Sequence, residues 1–495
     1  MPKLTVQRGT QTAALPFSGT PTLAQVLAQG PFALPQPCGG RGTCGKCAVQ
    51  ALTGAVSPPT AAERRRGTRL ACQAVLLGDC AVTLPPAQTW ADAETEAAVP
   101  SLGKPMPGRY GAAVDLGTTT VAARVFDLQT GAPLAAHTLL NPQTAVAADV
   151  MGRITAALQG ELPTLQRQAR EAVMAAIAGA CAQAGVEAVQ AVTLAGNTTM
   201  LYLLTGRSPQ SLATAPFAAD AQFGEETMLA GTPVYLPPCA AAFIGADITC
   251  AALAAGLDEA PDTVLLMDIG TNGELLLRHG GLLYGASTAA GPAFEGGQIS
   301  QGCGGIQGAI DRVWLEGGTL GAHVIGGGKA IGVCGSGLLD AVAALLEAGR
   351  IDASGQTDAP VIPLRDSVAL TAADVRAVQL AKAAIAAGVE SLLAAAGIEA
   401  AQVNRVLLAG GFGSRLRVQS AAAIGLIPAP LGSRASPIGN AALAGAAMLL
   451  LDTRLRKRVE ALAKAVRVVP LGGDAEFEQR FLAAMRFPCA YDEDE

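Results

Sequence analysis

Four cysteines stand at a spacing that suits iron and sulfide. Cys38, Cys44, Cys47 and Cys72 read C-x5-C-x2-C-x24-C, and four thiolates so placed can hold a [2Fe–2S] cluster. The glycines between them (Gly39, Gly40, Gly42, Gly45) let a loop wrap a cluster and turn N–H groups toward its sulfurs, which tunes its potential. Zinc and inert buried thiols are the alternatives. Zinc normally takes two C-x2-C knuckles, and Cys72 has no second cysteine beside it. Cys80, the other local thiol, sits in an apolar run that reads as a strand. Gly40-x4-Gly45-Lys46 imitates a P-loop but is followed by Cys47, which offers no hydroxyl for magnesium.

A second kind of chemistry is written twice. Asp115-Leu116-Gly117-Thr118-Thr119-Thr120 follows the apolar run Ala112–Val114, and Asp268-Ile269-Gly270-Thr271-Asn272 follows Leu265–Met267. Each reads as strand, tight turn, second strand. One such turn is a weak signal, because an Asp-Gly turn in a hairpin needs no ligand. Two, 153 residues apart, point to paired half-domains facing a nucleotide. Asp115 and Asp268 are then expected to position Mg²⁺ through water. The turns at Gly117 and Gly270 would present Thr118, Thr119, Thr271 and Asn272 to phosphates. Glu274 is a candidate for positioning the hydrolytic water, or else pairs on the hairpin surface. The glycine run Gly410, Gly411, Phe412, Gly413, after the buried-type strand Val406–Ala409, is expected to admit a flat adenosine.

Other polar residues carry two readings each. Asn197 starts a helix as an N-cap or also meets a ligand. Asp247, on a helix of small residues, reaches the metal or, as is commoner, faces solvent. Glu295 is the sole charge in the loop Ser287–Gly297, and Cys334-Gly335-Ser336-Gly337 opens a helix whose N–H groups suit an anion.

Placing these groups requires several domains. The 495 residues suffice for two or three, half of them hydrophobic and 15% charged, as close-packed α/β layers require. Net charge is −6, and no Lys/Arg run is interleaved with aromatics, which argues against nucleic acid. Met1–Val6 lacks the apolar core of a signal peptide. The uncharged stretches Thr227–Ala246 and Ala435–Leu451 contain prolines and do not read as membrane spans. Eleven cysteines, an odd number mostly in apolar settings, fit a reducing cytoplasm. Helices are expected over Thr22–Gln29, Ala145–Leu158, Leu162–Ala184 and from Thr371 to Gly397, with small-residue helices within Pro237–Gly256 and Pro437–Leu451. Residues 1–85 form a first unit, and 86–108, rich in Pro, Asp and Glu, form a linker or an ordered strap. Residues 109–495 form a two-lobed unit, the first lobe about 109–235 plus the C-terminal helix region, the second about 257–435.

The motifs carry resemblances. C-G-G-R-G-T-C-G-K-C with the distant R-L-A-C-Q resembles plant/vertebrate-type [2Fe–2S] ferredoxins, which implies an α+β β-grasp domain; the first gap is one residue longer than in plant ferredoxins. The order of phosphate turn, small-residue helix, phosphate turn, Gly-Gly loop and small-residue helix resembles the two-lobed α/β ATPases of the actin, Hsp70 and sugar-kinase superfamily. The combination is similar to the reductive activators of corrinoid proteins, as are A-G-N-T-T-M (195–200), D-I-G-T-N-G-E (268–274), A-A-G-P-A-F-E-G (289–296), C-G-S-G-L (334–338) and G-N-A-A-L-A-G-A (439–446). That resemblance implies ATP-driven reduction of Co(II) to Co(I) on a corrinoid partner, with a [2Fe–2S] cluster, ATP and Mg²⁺ as cofactors. It implies an electron donor such as a ferredoxin or flavodoxin, and leaves a homodimer open. A sugar kinase needs no cluster. Activators of 2-hydroxyacyl-CoA dehydratases share a [4Fe–4S] cluster between subunits, which four local cysteines argue against. A nucleotide-gated corrinoid-protein chaperone is the non-enzymatic alternative.

Overall fold

Alternation of Leu4 and Val6 with polar neighbours makes the first strand half-buried. A computed structural model of the chain describes all residues except 31, 33, 35, 37–39, 41, 43, 44, 86–97, 414 and 489–495, and the side chain of Arg65. Strands β1 (Lys3–Arg8), β2 (Gln11–Pro16), β3 (Ala51–Val56) and β4 (Leu76–Thr83) form a sheet in the order β2-β1-β4-β3. The sheet grasps a helix, Leu23–Leu27, whose N-cap Thr22 and Gln25 form a capping box. Leu23, Val26 and Leu27 fill the space between helix and sheet.

The first lobe is a six-stranded sheet, built from β5 (Tyr110–Leu116), β6 (Thr120–Asp127), β7 (Pro133–Leu140), β8 (Ala191–Gly196), β9 (Glu225–Leu229) and β10 (Thr232–Leu236) in the order β7-β6-β5-β8-β10-β9. The second lobe repeats the plan. It begins with β11 (Val264–Ile269), β12 (Gly273–His279) and β13 (Leu282–Thr288). A small sheet of β14 (Ala309–Glu316), β15 (Thr319–Val324) and β16 (Gly332–Val333) and a hairpin of β17 (Val361–Arg365) and β18 (Val368–Thr371) follow. Strands β19 (Arg405–Ala409), β20 (Ala435–Pro437) and β21 (Val466–Val468) complete the order β20-β19-β11-β12-β13-β21. In both lobes the first strand has antiparallel hairpin partners on one side and parallel strands on the other. Helices cover both faces of the central strands, so β5 and β11 are apolar almost throughout and end in Asp-containing turns at the same edge.

The helix Ala372–Ala396 is long and apolar enough to cross a membrane, but here Val375, Val378, Ile385 and Val389 pack into the second-lobe core. Thr371 and Asp374 cap it reciprocally, and Gly397 ends it in the left-handed region. Two small-residue helices, Ala246–Ala254 and Ala441–Leu451, lie between the lobes. A Cβ on Gly445 would come 2.1 Å from the Cys250 carbonyl oxygen, so the two backbones touch with no side chain between them. Cys250 and Leu253 face the first lobe, while Ile248, Ala251 and Ala252 face strands of the second.

Three expectations are corrected. The helix expected over Ala145–Leu158 is a 3₁₀ turn, Pro142–Ala145, followed by a helix at Val150–Ala156; Asp149 accepts the Gly152 N–H and sets the later start. The C-terminal helix region does not belong wholly to the first lobe. Strand β21 pairs with the open edge of β13, and Phe477 and Phe487 pack on the second-lobe core. Residues 98–108 are not a loose linker: Gly103 and Met106 donate N–H bonds to Leu451 and Leu450 carbonyls at 3.1 and 2.9 Å, and the Met106 side chain is buried. Residues 86–97 lie outside the described residues.

Candidate functional site

The repeated strand–turn–strand units face each other across a cavity of about 600 Å³. Asp115 and Asp268 stand at the ends of β5 and β11 and line it, as does Asp247 from the first turn of Ala246–Ala254. Glu274 pairs across from Asp268 in the β11–β12 register and is buried beside the cavity, not on the hairpin surface. Asp247 is half-buried and faces the cleft. Asn440, the N-cap of Ala441–Leu451, donates Nδ2–H to Asp115 Oδ2 at 2.9 Å while its Oδ1 accepts the Leu443 N–H. One residue thus ties a hinge helix to the first acidic turn.

Burial, reinforced for Asp268, Asp247 and Glu274 by neighbouring carboxylates, raises their proton affinity. Burial lifts Asp115 to about 6 against the lowering effect of Asn440. Burial, then the charges of Asp115 and Glu295, lift Asp268 to about 7. Burial and the charges of Asp268 and Asp115 lift Asp247 to about 8. Glu274 is raised well above the carboxylate range by burial, then by Asp247 and Asp268. A divalent cation placed among them would reverse these shifts.

Both phosphate turns are held by one carboxylate. Glu295 Oε2 accepts the Thr119 hydroxyl of the first lobe at 2.5 Å and the Thr271 hydroxyl of the second at 2.7 Å; its Oε1 accepts the Thr271 N–H at 3.0 Å. Thr119 and Thr271, two of the four residues expected to meet phosphate, thus donate to a carboxyl group in this structure. Asn197 is the expected N-cap, its Oδ1 accepting the Met200 N–H, and its Nδ2 donates to Thr118 Oγ1 at 3.1 Å, so it also braces the first turn. Gly117, Gly270 and Asn272 also line the cavity. Gly410, Gly411 and Phe412 line its far side, with Phe412 stacked on Phe294 at a 4.9 Å centroid distance. Gly413 is buried and is not among the lining residues, which corrects its expected ligand contact.

In the cysteine loop, Cys47 and Cys72 are buried, while Cys38 and Cys44 lie outside the described residues. Gln73, next to Cys72, donates Nε2–H to the Gly40 carbonyl at 2.7 Å and so closes the loop over the Cys72 side chain. Gly40, Gly42 and Gly45 adopt φ of 78°, 72° and 73°. Two enclosed thiols in a loop of this handedness fit a cluster-binding turn. Gln36, in the same loop, donates Nε2–H to the Ala145 carbonyl at 3.2 Å, so the loop touches the first lobe.

Comparison with known proteins follows the same division. Residues 6–77 match a family described as the 2Fe-2S iron-sulfur cluster binding domain, 110–260 the RACo middle region, and 262–494 the C-terminal domain of RACo, the ASKHA domain. A relative from Eubacterium limosum, the corrinoid activation enzyme RamQ, is 33% identical over 431 residues, 79% of this chain and 72% of the relative. The chain belongs to the reductive activators of corrinoid proteins. A second relative, from Methanosarcina barkeri, is described as a Co(II) methylated amine-specific corrinoid protein reductase; it is 26% identical over 400 residues, 72% of this chain and 73% of its own. A solved structure described as a reductive activator for corrinoid, iron-sulfur protein is 26% identical, covers 99% of this chain and 98% of its own, and superposes with a TM-score of 0.71.

In this corrinoid activator the acidic cleft makes a testable demand on pH. The unfolded carboxylates ionise near pH 4, whereas Asp115, Asp268 and Asp247 in the fold hold protons to about 6, 7 and 8. Between those limits the folded state binds more protons, so stability falls as pH rises. The melting temperature of cation-free protein is expected to drop from pH 6 to pH 8.5. Mg²⁺ is expected to raise it more at pH 8.5 than at pH 6, and Asp247→Asn to flatten the profile. A Tm independent of pH over this range, or an unaltered slope in Asp247→Asn, contradicts the assignment.

Proposed function

We propose that this chain uses ATP to drive one-electron reduction of a corrinoid protein's Co(II) to Co(I), with the electron drawn from a [2Fe–2S] cluster held by Cys38, Cys44, Cys47 and Cys72. The observation that carries the reading is the contact of the cysteine loop with the lobe that bears the first phosphate turn, Gln36 on Ala145. It supports one machine in which nucleotide and electron source are mechanically joined. The bound cluster supplies a one-electron carrier. The protein's own groups supply the rest: Asp115, Asp247 and Asp268 take Mg²⁺ and its waters, and Thr118, Thr119, Thr271 and Asn272 take phosphates. Gly410, Gly411 and Phe412 take adenosine, and Glu274 orients water. An ordinary donor is too weak to hold cobalt as Co(I). ATP helps only by favouring one state of the complex over another, and lobe closure across the Ala246–Ala254 and Ala441–Leu451 helices provides two such states. A ferredoxin or flavodoxin would be the donor of that electron. The reading places the protein in the cytoplasm, away from membrane and nucleic acid, alone or as a homodimer, with residues 1–85 as the electron-carrying unit and 109–495 as the ATPase.

Anaerobic absorbance of Co(I) in a cognate corrinoid protein tests the proposal at fixed reductant. Intact chain with ATP is expected to give full, rapid Co(I); intact chain without ATP, and residues 98–495 with ATP, are expected to give little. Equal Co(I) from the shortened chain removes the cluster from the path and favours a nucleotide-gated chaperone. Equal Co(I) without ATP reduces the protein to a simple electron carrier.

A further inference from the structure

Arg153 is a fully buried charge that no role above uses. Its Nε donates to the Ala147 carbonyl at 3.1 Å, Nη1 to Gln143 Oε1 and Met200 Sδ at 3.0 Å each, and Nη2 to the Thr118 carbonyl at 2.5 Å. Every acceptor is neutral, and among the described residues Arg153 forms no ion pair. A guanidinium buried without a carboxylate is costly to keep unless its charge is used. Burial presses its pKa down to about 9, and the charges of Asp149 and Glu295 act against that. Glu295 is the carboxylate seated on the phosphate turns, so the field of Arg153 already reaches an anion in the cleft.

The turn itself shows how the charge is delivered. Asn141 Nδ2–H holds the Gly117 carbonyl at 2.9 Å, Arg153 holds that of Thr118, and the Asn141 N–H holds that of Thr119 at 2.8 Å. Three successive carbonyls are thus drawn back into the lobe. In a trans peptide the N–H points opposite to the C=O, so the N–H groups of Thr118, Thr119 and Thr120 point away from these contacts, and all three residues line the cavity. A cation bonded to the Thr118 carbonyl polarises the Thr119 N–H in the same peptide unit. We propose that Arg153 is a positioning residue for nucleotide phosphates: it fixes the first phosphate turn with its N–H groups facing the ligand and lends that turn a positive charge. This rests on the nucleotide reading given above.

The experiment measures Kd for Mg·ATP, Mg·ADP and adenosine by calorimetry on the full chain, wild type against Arg153→Met and Arg153→Lys. Arg153→Met is expected to weaken ATP and ADP about 10- to 100-fold, the scale of a charge-assisted hydrogen bond. Adenosine, which carries no phosphate, is expected to bind unchanged. Arg153→Lys, which keeps the charge but not the fork, should recover part of the ATP affinity. A folded Arg153→Met that binds ATP as the wild type does, or loses ATP and adenosine equally, overturns the proposal. Should Arg153→Met not fold, Gln143→Leu removes an acceptor that orients the guanidinium; it is expected to weaken ATP while sparing adenosine, and unchanged ATP affinity there overturns it equally. Failure of the wild type to bind ATP is a different outcome, because it ends the nucleotide reading and this proposal with it.

Discussion

Asp115→Asn is expected to lower ATP hydrolysis by about 10²- to 10³-fold, the loss typical of removing one preorganised electrostatic group, while the iron–sulfur absorbance stays unchanged. The side chain accepts Asn440 Nδ2–H and shares its cavity with Asp247 and Asp268. An amide there keeps the shape but cannot neutralise Mg²⁺, and only its oxygen can still accept the Asn440 hydrogen bond. Asp268→Asn should behave alike from the opposite lobe. Phosphate release at saturating Mg²⁺ is the measurement. Normal turnover in both variants would falsify the placement of the site. The distance from Cys72 in the chain matters to the control: a variant that also bleaches the cluster has damaged more than the cleft.

Cys72→Ser and Cys47→Ser should have the second large effect. Each is expected to abolish the reduced-cluster EPR signal and to bring ATP-dependent Co(I) formation to background, with ATP hydrolysis retained. Both side chains are buried in the loop that Gln73 closes, so a serine is poorly placed to be replaced by solvent ligands. Cys80→Ser is the matched control. That thiol lies in β4 and donates to the Gly78 and Ala55 carbonyls at 2.9 and 3.1 Å, so its loss should leave the EPR spectrum intact. Stoichiometric zinc without sulfide in anaerobically prepared protein would sink the cluster assignment outright.

Much of this was readable because it is local. A strand, an Asp, a glycine and threonines in one short stretch specify a turn by themselves, and Thr22–Gln25 and Thr371–Asp374 announce helix starts for the same reason. Contacts across the fold were not readable. Asn440 meets Asp115 from 325 residues away and Glu295 meets Thr119 from 176, and nothing in either stretch names its partner. Glu295 did stand out as the lone charge among glycines, and that isolation was the usable signal. Arg153 gave none, since an arginine in an amphipathic helix is ordinarily a surface residue. Asp247 reads as solvent-facing for the same reason, and that reading fails where two lobes cover a helix from both sides. Strand β21 has only three residues, too few for a period, and its edge partner β13 lies far upstream.

The bare contact between Gly445 and Cys250 bears on tempo. Helices meshed by long side chains must lift one ridge over the next to turn, and each such step is a barrier. Here backbone meets backbone at the crossing, with little to unmesh. Rocking of the lobes on such a joint would belong to the microsecond-to-millisecond range of hinge motions. The joint is a smooth bearing: it neither stores nor meters the drive. On the reading proposed above, the pace of each cycle is then expected to lie with the nucleotide step and not with the joint.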